Sequence, residues 1–360
     1  MFKVNSSVDV YYEAQHVGRL ALAPDRRCLF EYQAAWIRDG FSISPFYLPL
    51  KSGVFTARTE PFDGLFGVFN DSLPDGWGKL LTDRWLMSKG HQPSELTVID
   101  RLSLVGNQGM GALSYRPAQH ISNDETSYEL DFYASEVSKI LQADYSGSLD
   151  EIYAKAGSSG GARPKVLVSI NGIEWLIKFK STSDPEDVGT IEYNYSLLAK
   201  KCGIIMPETR LFEGKYFGVQ RFDRQVEKRI HVHSAAGLLY ASHRLPLLDY
   251  TELMKATMAL TRDIAEVEKM FRQMVFNVLI GNKDDHSKNF SFVYQNNSWK
   301  LSPAYDLLPS FGFNNNHTTT INGKGKPTIE DCFEVAKLTG FPLKAATRII
   351  EEVRENLQTP

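Results

Sequence analysis

The sequence predicts an α+β chain, and three observations predict it. The first hundred residues alternate apolar and polar side chains in short runs, as half-buried strands do. A glycine-rich stretch at 156–165 leads directly into two strand-like runs around Asn171-Gly172. From about residue 234 onward, apolar residues recur mostly at three-four spacing, the mark of amphipathic helices. The order of these patterns gives three predicted parts: an α+β subdomain at 1–120, a strand-rich segment with the glycine loop at 121–223, and a helical segment at 224–360.

In the first part, residues 8–12 and 18–22 read as strands, and 77–87 reads as a helix after the turn Pro74-Asp75-Gly76. Residues 119–127, with Asn123-Asp124-Glu125, have the most linker-like composition in the chain. They lead into an amphipathic segment at 128–141. Next comes the loop Gly157-Ser158-Ser159-Gly160-Gly161-Ala162-Arg163-Pro164-Lys165, before a strand at 166–170. Glycines allow backbone N–H groups to approach phosphate oxygens, and Arg163 or Lys165 adds charge. The spacing matches neither of the common dinucleotide or Walker patterns, so a plain surface loop is the alternative.

Asn171-Gly172 predicts a tight hairpin. The returning strand, 174–180, carries Lys178 and Lys180 on one face, with Ile177 and Phe179 on the other. Spacing does not choose between the two lysines, and Lys178 is the preferred candidate. A helix beginning near Gly189 presents Glu192, which is either a lysine partner or an ordinary first-turn acid. Residues 216–224 read as a further strand, in which Arg221, Asp223 and Arg224 form either a nucleotide-lining segment or a structural ion cluster.

The chemistry concentrates after a helix in which Val267, Met270, Phe271, Met274, Val275, Val278 and Leu279 share one face. Gly281 and Asn282 end it. The loop that follows places Asp284 five residues before Asn289, then a predicted hairpin returns the chain to Tyr305-Asp306. Phosphoryl transfer needs one carboxylate to orient the attacking hydroxyl, and an amide oxygen with a second carboxylate to hold magnesium on nucleotide phosphates. Asp284, Asn289 and Asp306 have that layout. An isolated Asp-Asn spacing is ordinary turn chemistry, but helix, loop, hairpin and second Asp together point to a catalytic loop. Thr328 with Asp331, and the periodic segment 343–357, predict two closing helices.

The net charge of −3 argues against a chain that coats nucleic acid by itself. Cys28, Cys202 and Cys332 are three in number and lack a paired spacing, which argues against a disulfide frame or zinc site and for a reducing cytoplasm. The first residues lack a signal-like apolar core and no run reaches membrane-span length, so no membrane association is expected.

In this order the segments resemble the HipA-like serine/threonine kinases, toxins of bacterial toxin–antitoxin pairs. The resemblance covers nearly the whole chain. It includes Phe69-Asn70-Asp71-Ser72-Leu73-Pro74-Asp75-Gly76 and the run 105–113 in the first part, then the glycine loop, Gln220 to Arg224, Asp284 to Asn289 and Tyr305-Asp306. It implies a two-lobed protein-kinase-like fold with an added N-terminal subdomain, Mg2+ and ATP as cofactors, and Asp284 as catalytic base. It implies metal binding by Asn289 and Asp306. Nucleotide contacts fall on Gly160, Gly161, Ala162, Arg163, Pro164, Lys165, Lys178, Gln220, Arg221, Phe222, His286, Ser287, Lys288, Asn289, Tyr305 and Asp306. Autophosphorylation falls on Ser158, with Ser159 as the neighbouring alternative. The implied partners are a helix-turn-helix antitoxin of the HipB type and a protein substrate, in this family an aminoacyl-tRNA synthetase, with DNA contacted only through the antitoxin.

Two departures stand out: Gln220 and Asp285 replace the Glu and Gly of the best-known member. Asp285 is expected either to raise the pKa of Asp284 or to receive a basic group of the substrate. The rival readings are a small-molecule or lipid phosphotransferase on the same core, and a nucleotide-binding co-repressor module without kinase activity.

Overall fold

A computed structural model describes residues 5–119, 129–144, 148–225 and 228–358. The linker-like stretch beyond Gln119 lies outside the described residues. Two compact units divide the chain: residues 1–190 with 210–231, and residues 191–209 with 232–360.

The first unit contains two sheets. Five strands run in the order Val54–Thr56, Cys28–Tyr32, Gln15–Leu22, Ser7–Tyr12 and Leu113–Arg116. Alternation in the sequence becomes sidedness, with Val8, Val10, Leu20 and Phe30 fully buried on one face. The second sheet takes the order Lys165–Ile170, Ile173–Lys178, Tyr216–Gln220 and Thr209–Phe212. Its first turn is the predicted one, since Asn171 (φ 53) and Gly172 (φ 76) both adopt the left-handed conformation that a two-residue hairpin requires. Ile177 and Trp175 pack with Trp77, Leu81, Tyr133 and Ile152 in a core contributed by this sheet and by helices Gly76–Ser88, Leu130–Leu141 and Leu149–Ala156. The predicted strand at 216–224 stops at Gln220, because Arg221, Asp223 and Arg224 turn the chain around their own side-chain pairs.

The second unit is mostly helical. Helices Tyr250–Thr261, Ile264–Ile280, Ile329–Thr339 and Leu343–Gln358 enclose a core that includes Met270, Phe271, Met274, Phe290, Val335 and Ile349. Phe271 stacks on Phe341 with ring centroids 5.0 Å apart. Truncating such a fully buried aromatic costs on the order of 3–5 kcal/mol, so this packing sets the position of the helix that carries the functional loop. That helix ends as the sequence predicts, at Gly281 in the left-handed conformation (φ 71). The hairpin Ser291–Gln295 and Ser298–Leu301 turns through Asn296 (φ 51) and Asn297 (φ 56), and joins His231–Ser234 in a three-stranded sheet. A short parallel pair, Leu248–Asp249 with Thr319–Thr320, completes the unit. None of the described helices is long and apolar enough to cross a membrane.

Candidate active site

The candidate catalytic loop lies wholly in the second unit. Asp284 is exposed while its neighbours Asn282 and Asp285 are buried, so the loop presents one carboxylate and inserts the residues beside it. Its backbone is held from the segment that follows Asp306. Ser310 Oγ accepts hydrogen bonds from Lys283 N at 2.9 Å and Asp284 N at 2.7 Å, and donates to Asn282 Oδ1 at 3.1 Å. Thr318 N and Oγ1 both donate to the Lys283 carbonyl, at 3.1 and 3.0 Å. Asn289 Nδ2 donates to the Asp284 carbonyl at 2.7 Å, which closes the loop across its five-residue span.

That last bond also orients Asn289. Its amide nitrogen is committed to the Asp284 carbonyl, and the amide oxygen is the acceptor of that side chain. Asp306 adopts a left-handed backbone (φ 55), uncommon for a residue with a side chain. Asn282 Nδ2 bonds its carbonyl at 3.3 Å. The hairpin places Tyr305 beside the loop, since its hydroxyl donates to the Lys288 carbonyl at 2.7 Å and lies 2.6 Å from Ser291 Oγ. An amide oxygen and a carboxylate are hard oxygen donors of the kind Mg2+ prefers, so Asn289 and Asp306 fit that ion chemically. Within this unit the structure brings together Asp284, Lys288, Asn289, Tyr305 and Asp306. Ser287 is buried and donates to the Ala241 carbonyl at 2.9 Å, a structural bond. His286 lies near His243, ring centroids 5.9 Å apart, with its Nδ1 buried.

Asp285 does not receive a substrate group. It is fully buried, and its carboxylate faces His317, Tyr250 and two backbone amides inside the unit.

The first unit holds the other candidates. The glycine loop is docked on the start of the helix Gly76–Ser88: Gly161 N donates to the Asp75 carboxylate, Trp77 N donates to Gly161 O at 3.0 Å, and Trp77 Nε1 donates to Lys165 O at 3.1 Å. Two glycines make this approach possible. A Cβ on Gly76 would lie 2.5 Å from Gly161 O, and one on Gly78 would lie 2.1 Å from Ser159 O. Ser158 Oγ donates to the Gln108 carbonyl at 3.1 Å and lines a small cleft with Pro74, Thr82, Arg101 and Tyr153. Ser159 is more deeply buried, and its hydroxyl donates to Ala156 O at 2.6 Å.

Lys165 is buried, with its ammonium on the Gly160 carbonyl, and Arg163 pairs with Asp184 at 3.1 Å. Lys178 sits opposite Lys165 in the strand register, its ammonium 5.4 Å from the centre of the Phe217 ring. Lys180 lies beyond the strand end and pairs with Glu186. Gln220 ends its strand opposite Trp175, and Arg221 N donates to Glu174 O at 2.9 Å.

The alternative left open for Arg221, Asp223 and Arg224 is answered for the side chains. Both arginines reach Asp223 at 2.7 Å, Gly111 N donates to it at 2.8 Å, and Arg224 also bonds the carbonyls of Gly109 and Gly111. Burial works against the Asp223 charge, but the two guanidiniums and the amide outweigh it and hold its pKa down to about 2. The cluster thus ties the strand end to the 109–111 loop.

The comparisons agree with this architecture. A family model described as the HipA-like C-terminal domain matches residues 157–359, and one described as the HipA N-terminal domain matches residues 8–116. The chain belongs to the HipA-like family. Its curated relatives include "Putative kinase Y4dM" of Sinorhizobium fredii, 24% identical over 331 residues covering 85% of this chain and 78% of the relative. "Putative kinase Y4mE" of the same organism is 28% identical over 347 residues, with the same coverage of 85% and 78%. Among solved structures, the chain is similar in fold to one from the Shewanella oneidensis MR-1 toxin–antitoxin system HipA, HipB and operator DNA complex. The TM-score is 0.72 at 18% identity, with 98% of this chain and 91% of that one covered.

Sequence reasoning missed several residues that hold the candidate loop of this HipA-like chain. Ser310, His317, Thr318 and Tyr250 act on the loop from 25 or more residues away, and no local pattern marks them. Asp75, read as part of a turn and of the family-like run 69–76 but given no role of its own, is the glycine loop's anchor.

Proposed function

We propose that this HipA-like chain is a serine/threonine protein kinase that transfers the γ-phosphate of ATP to a protein hydroxyl. The single observation that carries the reading is the catalytic loop: an exposed Asp284 on a backbone held by Ser310 and Asn289, with Asp306 fixed through Asn282. Asp284 orients the acceptor hydroxyl and takes its proton as the oxygen–phosphorus bond forms, while the bond from the γ-phosphorus to the β–γ bridging oxygen breaks and ADP leaves. Asn289 and Asp306 would hold Mg2+, which supplies neutralisation of charge on the phosphate oxygens. Lys178, the 160–165 loop and the segment Gln220 to Phe222 are the phosphate and adenine contacts in this reading. Catalysis then comes from positioning and charge, with no covalent enzyme intermediate.

Ser158 is the autophosphorylation site we favour over Ser159, because its hydroxyl is the less buried of the two. A phosphoserine there adds about −1.5 to −2 charge and removes the donor to Gln108. The loop would leave its seat, and ATP binding would weaken. By family likeness, the partner is a helix-turn-helix antitoxin of the HipB type, the setting is cytoplasmic, and the target is a translation protein such as an aminoacyl-tRNA synthetase, its modification arresting growth.

The test is incubation of the purified protein with Mg-ATP, with phosphate located by intact and peptide mass, beside Asp284→Gln and Asp306→Gln. Phosphate on Ser158 of the wild type alone is the expected result. A wild type that neither binds nucleotide nor acquires phosphate defeats the kinase reading, and one that binds nucleotide but transfers no phosphate leaves the co-repressor module. Phosphate found on a metabolite, with protein unmodified, supports the small-molecule phosphotransferase.

A further inference from the structure

Asp285 sits next to the proposed base, yet it is 0% exposed and faces away from any substrate. A buried carboxylate is costly unless hydrogen bonds satisfy it. Here both oxygens are used. Oδ1 accepts from Thr318 N at 2.9 Å and Thr319 N at 3.2 Å; Oδ2 meets His317 Nδ1 at 2.9 Å and accepts from Tyr250 OH at 3.3 Å. The backbone joins in, since Thr319 Oγ1 donates to the Asp285 carbonyl.

The partners lead onward to the rest of the site. Tyr250 OH accepts from Asn277 Nδ2 at 2.9 Å, Asn277 Oδ1 accepts from Asn282 Nδ2 at 3.0 Å, and that same nitrogen bonds the Asp306 carbonyl at 3.3 Å. Burial raises the Tyr250 phenol well above its ordinary pKa and the neighbouring Asp285 charge adds to this, so the phenol remains a neutral donor in the circuit. One path of side chains therefore runs from Asp285 to the backbone of Asp306.

We infer that Asp285 is a positioning residue that ties the catalytic loop to the segment 317–319 and sets the direction in which Asp284 points. It never touches the reacting atoms. It acts through the backbone on the C-terminal side of Asp284, as Ser310 acts on the N-terminal side. This inference rests on the kinase reading, because what Asp285 positions is the base of that reaction.

The chemistry of the pocket predicts a graded response. Asp285→Ala leaves two amides, His317 and Tyr250 without their acceptor. Asp285→Asn keeps an oxygen for the two amides and offers its nitrogen to His317, whose neutral ring accepts at Nδ1 in one tautomer. A small misplacement of a catalytic group costs about 100-fold in rate.

The experiment measures kcat and KM for ATP in wild type, Asp285→Ala, Asp285→Asn, His317→Ala and the Asp285→Ala/His317→Ala double variant. It adds hydrogen exchange at the amides of Lys283, Asp284, Thr318 and Thr319. The expected result is a fall in kcat of about 100-fold for Asp285→Ala, an unchanged KM for ATP, and faster exchange at all four amides. Asp285→Asn should recover most of the rate. The double variant should be no worse than Asp285→Ala, since both changes break one latch.

If Asp285→Ala does not fold, Asp285→Asn and His317→Ala carry the same test. An active wild type whose folded variants keep wild-type kcat overturns the positioning role while the kinase reading stands. An inactive wild type brings down the kinase reading itself, and the positioning role falls with it. A parallel rise in KM with loss of melting temperature would show Asp285 to be a stability residue only, which also overturns the inference.

Discussion

The glycine loop of the first unit and the catalytic loop of the second are both short, polar and rich in turn-forming residues, yet they are mounted differently. Residues 282–289 are held by a buried circuit in which Ser310, Asn282, Asp285 and Tyr250 each serve two or more partners. Removing one member of such a circuit leaves buried polar groups unmatched, which costs about 1–3 kcal/mol each. Residues 158–161 instead rest on a surface made by two glycines, a tryptophan and one carboxylate. The difference matches the two duties proposed above: the loop proposed to hold a reacting group is over-determined, and the loop proposed to admit nucleotide and accept modification rests on fewer side chains.

Changes aimed at one region or the other test that contrast. The largest effect is expected at the catalytic loop: Asp284→Asn should lower kcat by about 1000-fold while nucleotide affinity, read by fluorescence titration, stays near wild type. Substantial activity in that variant would remove Asp284 from the mechanism. A change at the seat of the glycine loop should act on binding instead. Gly78→Ala places a Cβ 2.1 Å from Ser159 O and 2.8 Å from Pro74 Cβ, and overpacking of this kind costs about 1–3 kcal/mol. The cheapest relief is to lift the loop, so KM for ATP should rise roughly tenfold with kcat little changed. A wild-type KM would mean that the seat does not govern the loop.

The ion cluster beneath the first unit's strand end gives a pH-dependent test. Asp223 has its folded pKa lowered to about 2, against about 3.9 in an unfolded chain. A depressed carboxylate contributes stability above the unfolded value and loses it as pH falls through the folded one. About 2 kcal/mol should therefore disappear between roughly pH 4 and pH 2. Urea midpoints across that range in wild type and Asp223→Asn measure it, and equal slopes would exclude Asp223 as the source. The smallest effect is expected at a helix cap outside either loop. Asp331 accepts from Thr328 N at 2.9 Å and pairs with Lys324 at 2.7 Å, so Asp331→Ala should cost roughly 1 kcal/mol of stability and leave turnover unchanged.

Elements with local causes were legible in the sequence. The helix before the loop, its Gly281 stop, the Asn296-Asn297 turn and the Asn171-Gly172 turn each follow from periodicity or from residues that tolerate positive φ. The candidate residues Asp284, Asn289 and Asp306 were legible because spacing and an intervening hairpin bring them together. What holds them was not. Ser310, His317 and Tyr250 are common residues whose role depends on a fold-level meeting with residues 282–285, and periodicity is silent about such meetings. The same gap explains Asp285, which looks like a second surface acid from its neighbours and is a buried acceptor in the fold. It also explains the docking of Gly161 on Asp75, 86 residues away in the chain.

The latch on Asp285 also has a consequence in time. Its acceptor emerges from the ribosome before the amides of Thr318 and Thr319 that satisfy it. Chains are made from the N-terminus at about 5–20 residues per second, so the interval is on the order of a few seconds. Until those residues arrive, the loop lacks the amides that satisfy Asp285. A nascent chain of this HipA-like family therefore carries residues 282–289 for seconds before the partners that hold them in the fold exist.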